Sequence, residues 1–288
     1  MILKLLRYSG QFYLHKVLLY SNVHKSGDVM CRLTAYLGPE IALEKIIVLP
    51  RHSLLHQSQS ATESKLEVNG DGFGIVWYDN RHMQGEWPGV FRDVLPAWSD
   101  CNLTSICRMV WSPLFMAHVR ASTVGETSRS NCHPFTYQNW SFMHNGQIAD
   151  FVSIRRGLEA LLPDELYIAR RGTTDSELLF LLALANGLQQ DTKRAMEKTV
   201  AQVKSLQAKV DKPNRLTCVF SDGAAVYGFR HSCDGKSPTL YVSDKLESGG
   251  KSFASEPLDG RPDNLLGLEE NLFTCLDAKG FENFEFVV

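Results

Sequence analysis

The pattern of apolar positions predicts helices in three stretches of the chain. Residues 176–188 are apolar on nearly every face, which is typical of a helix buried on most sides. Residues 195–210 carry apolar side chains at helical spacing with lysines between them, so one face is expected to pack inward. Residues 42–49 predict a shorter helix that ends at Pro50.

Short runs rich in aromatic and β-branched residues, bounded by turn-forming residues, predict strands. A polar stretch, residues 56–65, is predicted to be an exposed loop, and a Gly38-Pro39 turn is expected to close the first strand. The pattern runs from strands to helices and back to strands, which favours an α+β layered domain over a doubly wound sheet. The predicted strands cover residues 31–37, 72–78, 115–120, 140–144, 216–220, 225–230, 239–243 and 284–288.

Composition predicts an ordinary soluble globular protein. Of 288 residues, 44% are hydrophobic and 22% are charged, which excludes general disorder. The net charge of −2 argues against a nucleic-acid or membrane-surface partner. The longest strongly apolar stretch, residues 178–185, is far shorter than the roughly 20 residues of a membrane span.

Seven cysteines are scattered along the chain without a CxxC pair. This spacing argues against a zinc ribbon, a thioredoxin-type motif and a secreted disulfide framework. We therefore expect a cytoplasmic protein in which most thiols act as small buried apolar groups. The sequence shows no metal-ligand cluster, phosphate-binding glycine loop or nucleotide fingerprint, so no cofactor and no metal are expected.

Residues 1–30 differ from the remainder, because residues 1–27 contain four basic side chains and no acidic one. His15 and Lys16 interrupt the apolar stretch that a secretory signal needs, and an organelle transit peptide fits the composition better. We favour an extension outside the functional domain: a mis-assigned start, a leader or a propeptide. The predicted functional domain is then residues 31–288.

Four segments contain more chemistry than packing requires: residues 30–38, 117–125, 143–148 and 172–179. Each has a plain structural alternative. Cys31 could be a buried strand residue and Arg120 an ion-pair partner. Asn145-Gly146 is the commonest two-residue hairpin turn, and Asp175 stands where a helix N-cap is expected.

Seven short motifs, taken together and in order, resemble the class II glutamine amidotransferases of the N-terminal-nucleophile hydrolase superfamily. The resemblance is strongest to the stand-alone branch that has no fused synthase, which includes the ergothioneine-pathway amidohydrolase and the glutathione-degrading subunit. It implies a four-layer αββα sandwich. The motifs are Met30-Cys31-Arg32, residues 69–74, His118-Val119-Arg120, and residues 131–135, 144–147, 174–177 and 255–257.

The resemblance also implies a mechanism in which an N-terminal cysteine attacks the substrate amide and its own α-amino group is the base. A peptide-bonded nitrogen has no available lone pair, so Cys31 is competent only if everything through Met30 is absent. Arg120, assisted by Thr123, would hold the substrate α-carboxylate, and Asp175 would pair with the α-ammonium. The side chain of Asn145 and the backbone N–H of Gly146 would bind the oxyanion.

The sequence departs from synthase-fused relatives at Ala121 and Val124, where those proteins often have tryptophan and histidine. This favours the stand-alone branch and hydrolysis of a γ-glutamyl compound over free glutamine. Two alternatives stay open. One is a glutaminase subunit that delivers ammonia to a separate synthase, and the other is a non-catalytic γ-glutamyl-binding subunit with a blocked N-terminus. A partner protein and a homo-oligomer are both compatible with the sequence.

Overall fold

Two antiparallel sheets form the centre of the computed structural model, which describes residues 31–63, 68–79, 87–121, 126–207, 212–243, 245–258 and 266–288. The strands are β1 Arg32–Ala42, β2 Phe73–Tyr78, β3 Gly89–Asp93, β4 Trp111–Val119, β5 Phe135–Tyr137, β6 Trp140–Gln147, β7 Arg215–Ser221, β8 Val226–His231, β9 Tyr241–Ser243, β10 Lys251–Ala254, β11 Leu266–Gly267, β12 Leu272–Leu276 and β13 Phe281–Glu285. One sheet has the order β11-β9-β10-β1-β4-β2-β3 and the other has the order β13-β12-β8-β7-β6-β5.

Helices cover the outer face of each sheet. They are α1 Glu44–Ile47, α2 Leu54–Gln59, α3 Cys101–Met109, α4 Phe151–Glu159, α5 Asp164–Ala169, α6 Asp175–Ala185 and α7 Thr192–Leu206. Helices α1 to α3 pack on the sheet that contains β1, and α4 to α7 pack on the sheet that contains β6. None of these helices combines the length and the apolarity that a membrane span requires.

Three apolar clusters separate the four layers. Because side chains alternate along a strand, β1 sends Leu33 and Ala35 into the cluster between the sheets and Tyr36 into the cluster under α1 to α3. In the same way β6 directs Met143 between the sheets and Phe142 towards α6. The four-layer αββα fold predicted from the resemblance is therefore confirmed.

The helix α6 is buried on nearly all sides, as its uniform apolarity predicts, and strand β2 lies where the sequence places it. Helix α7 begins and ends earlier than predicted, and residues 208–211 lie outside the described residues. Strand β13 is displaced towards the N-terminus relative to the predicted strand, residues 284–288. Helices α3, α4 and α5 were not predicted because each is nine residues or shorter, which is too few turns for an apolar period to repeat.

Two predictions near the start of the domain are wrong. Gly38-Pro39 does not close β1, because the strand passes through an irregularity and pairs with β4 again at Ile41. Part of the predicted loop, residues 56–65, is instead α2, which is capped by Ser53 where its Oγ accepts from the backbone N–H of His56 at 3.2 Å. Helix α2 has only six residues and most of them are polar, so its sequence shows no apolar period that would predict a helix.

The strand register brings the predicted chemical segments to one end of the sandwich. Arg32 pairs with Val119, so Cys31 lies beside the chain that leaves β4 at Arg120. β1 also contacts β6 across the interface between the sheets, and β6 ends at Gln147. The N-terminus of α6 closes the same end.

Candidate active site

A cavity of about 300 Å³ lies at this end of the sandwich. Four of the predicted site residues line it: Cys31, Arg120, Gly146 and Asp175. These residues come from the start of β1, the end of β4, the end of β6 and the start of α6. The fold thus joins segments that are distant in the chain.

Cys31 is half-buried at the wall of the cavity, next to the backbone of Ala121. The N–H of Ala121 points at Cys31 Sγ over 3.4 Å, and Sγ lies 3.5 Å from the carbonyl oxygen of Ala121. Burial raises the pKa of the Cys31 thiol, while the backbone of Ala121 and the charges of Arg120 and Arg32 act in the opposite direction. The thiol is therefore protonated at neutral pH, and a thiolate forms there only if a base accepts its proton.

Arg120 is buried, and its main chain is fixed by the loop that precedes β2. The N–H of Arg120 donates to the carbonyl of Gly72 at 2.8 Å, and the N–H of Asp71 donates to the carbonyl of Arg120 at 3.0 Å. The loop of residues 69–72 therefore sets where the guanidinium enters the cavity. Thr123, its predicted helper, lies outside the described residues.

Asp175 is the first residue of α6, and it does not cap the helix. The N-cap is Thr174, whose hydroxyl accepts from the N–H of Glu177 at 3.2 Å, so the capping alternative for Asp175 is wrong. Its Oδ2 accepts from the N–H of Ile148 at 2.8 Å, and its Oδ1 accepts from the N–H of Ser176 at 2.8 Å. These bonds hold the carboxylate at the cavity wall, where the helix N-terminus favours its negative charge.

Asn145-Gly146 is not a hairpin turn, because both residues lie in β6 and pair with Thr217 and Leu216 of β7. Gly146 has φ of +138°, and a Cβ there would come within 1.9 Å of the carbonyl oxygen of Arg215. Only glycine fits this position. Because it has no side chain, Gly146 lets the backbone of β6 pass close to Arg215 and border the cavity.

The carboxamide of Asn145 is fully buried, and neither of its polar atoms forms a hydrogen bond to the described part of the chain. Asn145 lies two residues after Met143, so it faces the gap between the sheets. Cys31 directly precedes β1 and stands two residues before Leu33, which lies in the cluster between the sheets. An unsatisfied buried amide is costly, and this one directly precedes Gly146, which lines the cavity.

Three uncharged histidines lie at the cavity: His133 and His144 line it, and His118 packs against His133. His144 is held on both ring nitrogens: Nδ1 is 2.9 Å from Ser176 Oγ, and Nε2 is 3.0 Å from the carbonyl oxygen of Arg215. Burial lowers the pKa of His144, although Asp175 opposes the shift, and burial lowers the pKa of His118 to about 3. His133, whose ring centroid is 4.2 Å from that of His118, also has its pKa lowered by burial. These rings orient and pack the site.

Sequence reasoning missed the contributions of backbone groups and of the cavity rim. Nothing in the sequence identified the N–H groups of Ala121 and Ile148, since any residue type supplies them. The exposed Lys212, which also lines the cavity, follows a segment outside the described residues. Within the described ranges, His, Cys, Asp and Glu side chains do not form a group of three or more that could hold a metal ion.

Comparison with known proteins gives consistent matches. The sequence model of the family described as "Glutamine amidotransferases class-II" matches residues 51–241. The chain is 32% identical over 273 residues to the probable glutamine amidotransferase DUG3 of Saccharomyces cerevisiae, which covers 84% of this chain and 76% of that protein. It is 29% identical to the gamma-glutamyl-hercynylcysteine sulfoxide hydrolase of Mycolicibacterium smegmatis, over 81% of this chain and 90% of that protein.

Solved structures show the same fold. A glutamine aminotransferase class-II domain protein from Silicibacter pomeroyi superimposes with a TM-score of 0.71 at 35% identity, over 90% of this chain and 100% of that chain. The glutamine phosphoribosylpyrophosphate amidotransferase of B. subtilis superimposes with a TM-score of 0.61 at 16% identity, over 90% of this chain and 50% of that chain. The second likeness concerns the fold alone.

Proposed function

The chain belongs to the class II glutamine amidotransferases, and from this premise we propose that it hydrolyses a γ-glutamyl amide or peptide bond with Cys31 as the nucleophile. The observation that carries the proposal is the shared cavity. It brings a thiol, a guanidinium, a carboxylate and the backbone of Gly146 together, and the unsatisfied amide of Asn145 directly precedes Gly146 in β6.

The reaction proceeds in two steps. The Cys31 sulfur attacks the γ-carbonyl carbon while the free α-amine of Cys31 accepts the thiol proton. The C–N bond then breaks, the proton passes to the leaving nitrogen, and a γ-glutamyl thioester remains on Cys31. Water attacks the thioester, which releases glutamate and restores the thiol and the amine. This chemistry needs no cofactor.

Two opposite charges in the cavity fit the α-amino-acid end of the substrate. Arg120 is the donor for the α-carboxylate, because a planar guanidinium can give it two parallel hydrogen bonds. Asp175 is the partner of the α-ammonium, and its hydrogen bonds from Ile148 and Ser176 keep the carboxylate in place. The proposal keeps Thr123 as the residue that assists Arg120.

The base in this mechanism exists only if Cys31 is the first residue. We therefore include in the proposal that residues 1–30 form an extension that is absent from the active protein, whether as a leader, a propeptide or a mis-assigned start. A cytoplasmic location stays a prediction from the cysteine content.

The substrate is a small γ-glutamyl compound. One similar protein is named a hydrolase of a γ-glutamyl compound, and Ala121 stands where synthase-fused relatives often have tryptophan. The backbone of Ala121 contacts the nucleophile directly, so its small side chain leaves space at the thiol. Both features favour a larger leaving group than ammonia.

A hydrolysis screen tests the proposal. Protein that begins at Cys31 should release glutamate from γ-glutamyl amides and peptides, with higher kcat/KM for at least one of these than for glutamine, and Cys31→Ala should abolish the release. Released glutamate and trapped γ-glutamyl enzyme are measured by mass spectrometry. Activity on glutamine alone would instead support a glutaminase that serves a separate synthase. No turnover of any substrate would support a non-catalytic binding subunit.

The two charged residues of the cavity should be needed for binding. Arg120→Lys keeps the charge but loses the planar pair of donors, and Asp175→Asn removes the partner of the ammonium. Because a hydrogen bond between charged groups contributes about 1.5–3 kcal/mol, each variant should lower kcat/KM by about 10- to 100-fold. Steady-state kinetics on a γ-glutamyl substrate measures the loss.

Matched variants separate this binding role from folding. Asp164→Asn makes the same change in the first turn of α5, where the side chain is exposed. Arg230→Lys disturbs a guanidinium that donates to the carbonyls of Pro238, Ser237 and Leu268 outside the cavity. Both should keep kcat/KM near that of the wild type. If Arg120→Lys and Asp175→Asn also did so at unchanged thermal stability, the assignment of the two charges would be wrong.

A further inference from the structure

Arg32, the residue after the nucleophile, is fully buried and joins Cys31 to a distant part of the chain. Its Nη1 donates to the carbonyl oxygen of Cys31 at 2.8 Å, and its Nε donates to Glu256 Oε1 at 2.7 Å. The Glu256 carboxylate is also fully buried. The backbone of the nucleophilic residue is thus connected to an internal ion pair.

Glu256 is held by several donors besides Arg32. The hydroxyl of Thr62 donates to Oε2 at 2.6 Å, the N–H of Glu63 donates to Oε1 at 2.9 Å, and His52 Nε2 lies 2.6 Å from Oε2. Burial alone would raise the pKa of Glu256, but the bond to His52, the charge of Arg32 and the bond from Thr62 together lower it to about 2. The carboxylate is therefore ionised throughout the working pH range, and its orientation is fixed.

The neighbouring residue secures the same strand. Ser255 Oγ accepts from the N–H of Leu33 at 3.0 Å, and the N–H of Ser255 donates to the carbonyl of Leu33 at 2.9 Å. Ser255 directly follows β10, which pairs with β1 at Thr34 and Ala254. Residues 255 and 256 therefore continue the contacts of β10 with β1 by hydrogen-bonding to Leu33 and Arg32.

Stability alone is a weak reason for this ion pair. Removing two charges from water costs several kcal/mol for each ion, and well-packed apolar residues in place of a buried pair are often as stable. The start of β1 is already held by its pairing with β4 and by Ser255. What the pair adds is a hydrogen bond to the Cys31 carbonyl and a permanent positive charge next to the reacting group.

We propose that Arg32 and Glu256 are positioning residues for the nucleophile: Glu256 fixes the Arg32 guanidinium, which orients Cys31 through its carbonyl and places a positive charge beside it. The inference rests on the proposed function, because it takes Cys31 as the nucleophile and its α-amine as the base.

The charge of Arg32 has a predictable effect on proton transfer. The charged groups that act on Cys31 are Arg32 on β1, Arg120 after β4 and Asp175 on α6, and the Cys132 thiol lies close to it as well. The positive charge of Arg32 opposes the rise that burial causes in the pKa of the thiol. The same positive charge disfavours an ammonium at a free Cys31 N-terminus, so it favours the unprotonated amine that acts as the base in the proposed mechanism.

The test compares pH profiles of kcat/KM for proteins that begin at Cys31. In Arg32→Met the acid limb should move to higher pH by about one unit. The variant removes a positive charge close to the α-amine, and one unit charge a few ångströms away changes a pKa by about that amount. In Glu256→Gln, which keeps the shape but removes the negative charge, the acid limb should move to lower pH by a smaller amount. Arg32→Lys keeps the charge, so its acid limb should stay where it is in the wild type.

The same variants should separate kcat from KM. Arg32→Met and Arg32→Lys lose the oriented bond to the Cys31 carbonyl, so kcat should fall by about 10- to 100-fold while KM changes by less than about twofold. A matched control is Glu159→Gln, which weakens the mostly buried pair of Glu159 with Arg170 outside the cavity. That variant should lower the melting temperature without moving the acid limb.

A shift of the acid limb to higher pH in Arg32→Met and to lower pH in Glu256→Gln would support the proposal, since a merely structural role of the two residues cannot move the acid limb in opposite directions. A wild-type acid limb and wild-type kcat in the folded fraction of both variants would overturn it. If Arg32→Met does not fold, Glu256→Gln and Arg32→Lys decide by the same criteria. Activity that survives Cys31→Ala would instead overturn the proposed function, so the two failures are distinguishable.

Discussion

Protein that begins at Cys31 should turn over γ-glutamyl substrates, and protein that retains residues 1–30 should be inactive. In the longer protein the Cys31 nitrogen is part of a peptide bond and cannot accept the thiol proton. Burial raises the pKa of that thiol, so the thiolate does not form readily without a base. General-base catalysis contributes about 10²- to 10⁴-fold, and we expect a loss of at least this size.

The most specific comparison is between two proteins that differ in length by one residue, Met30. A protein that begins at Met30 is one residue longer than a protein that begins at Cys31: its Cys31 nitrogen is acylated and its free α-amine belongs to Met30. It should be as inactive as the full-length chain. Intact-mass measurement verifies each N-terminus, and kcat/KM for one γ-glutamyl amide is compared across the three proteins. Equal turnover by all of them would remove the N-terminal-nucleophile mechanism.

Asn145→Ala should reduce kcat by about 10²- to 10³-fold while KM changes little. The carboxamide donor acts on an oxyanion that exists only after Cys31 has attacked, so ground-state contacts are retained. Because both polar atoms of the amide are buried and unsatisfied within the described structure, their removal takes an unfavourable group out of the interior. The melting temperature should therefore stay the same or rise.

A structural role for Asn145 gives the opposite pair of results. If the residue mainly supports β6, alanine should lower the melting temperature and leave kcat per folded molecule unchanged. Asn186→Ala is a suitable control, since that side chain donates to Thr199 and Gln202 at the end of α6, away from the cavity. It should lose stability without losing kcat. Melting temperature and kcat measured on the same preparations decide between the two roles.

Local sequence determined the elements whose residues are distinctive in composition. The uniform apolarity of residues 176–188 predicted the buried α6, and the β-branched and aromatic run at residues 72–78 predicted β2. Helix α2 was missed because its stability comes from the Ser53 cap and from tertiary burial of polar Gln57 and Ser58. The continuation of β1 past Pro39 depends on pairing with β4, which no local pattern reports.

The sequence by itself determined which residue types carry the chemistry and in which order they stand, because motif spacing is a property of the chain. Only the tertiary structure decided where in space these residues lie and what they contact. Pairing of β6 with β7 showed that Asn145 lies in a strand and not in a turn, and the fold assigned the cap of α6 to Thr174, leaving Asp175 at the cavity. It also joined Arg32 to Glu256 across 224 residues of chain. Hydrogen bonds and burial depend on distances in space, and those are set by the packing of the two sheets and their helices.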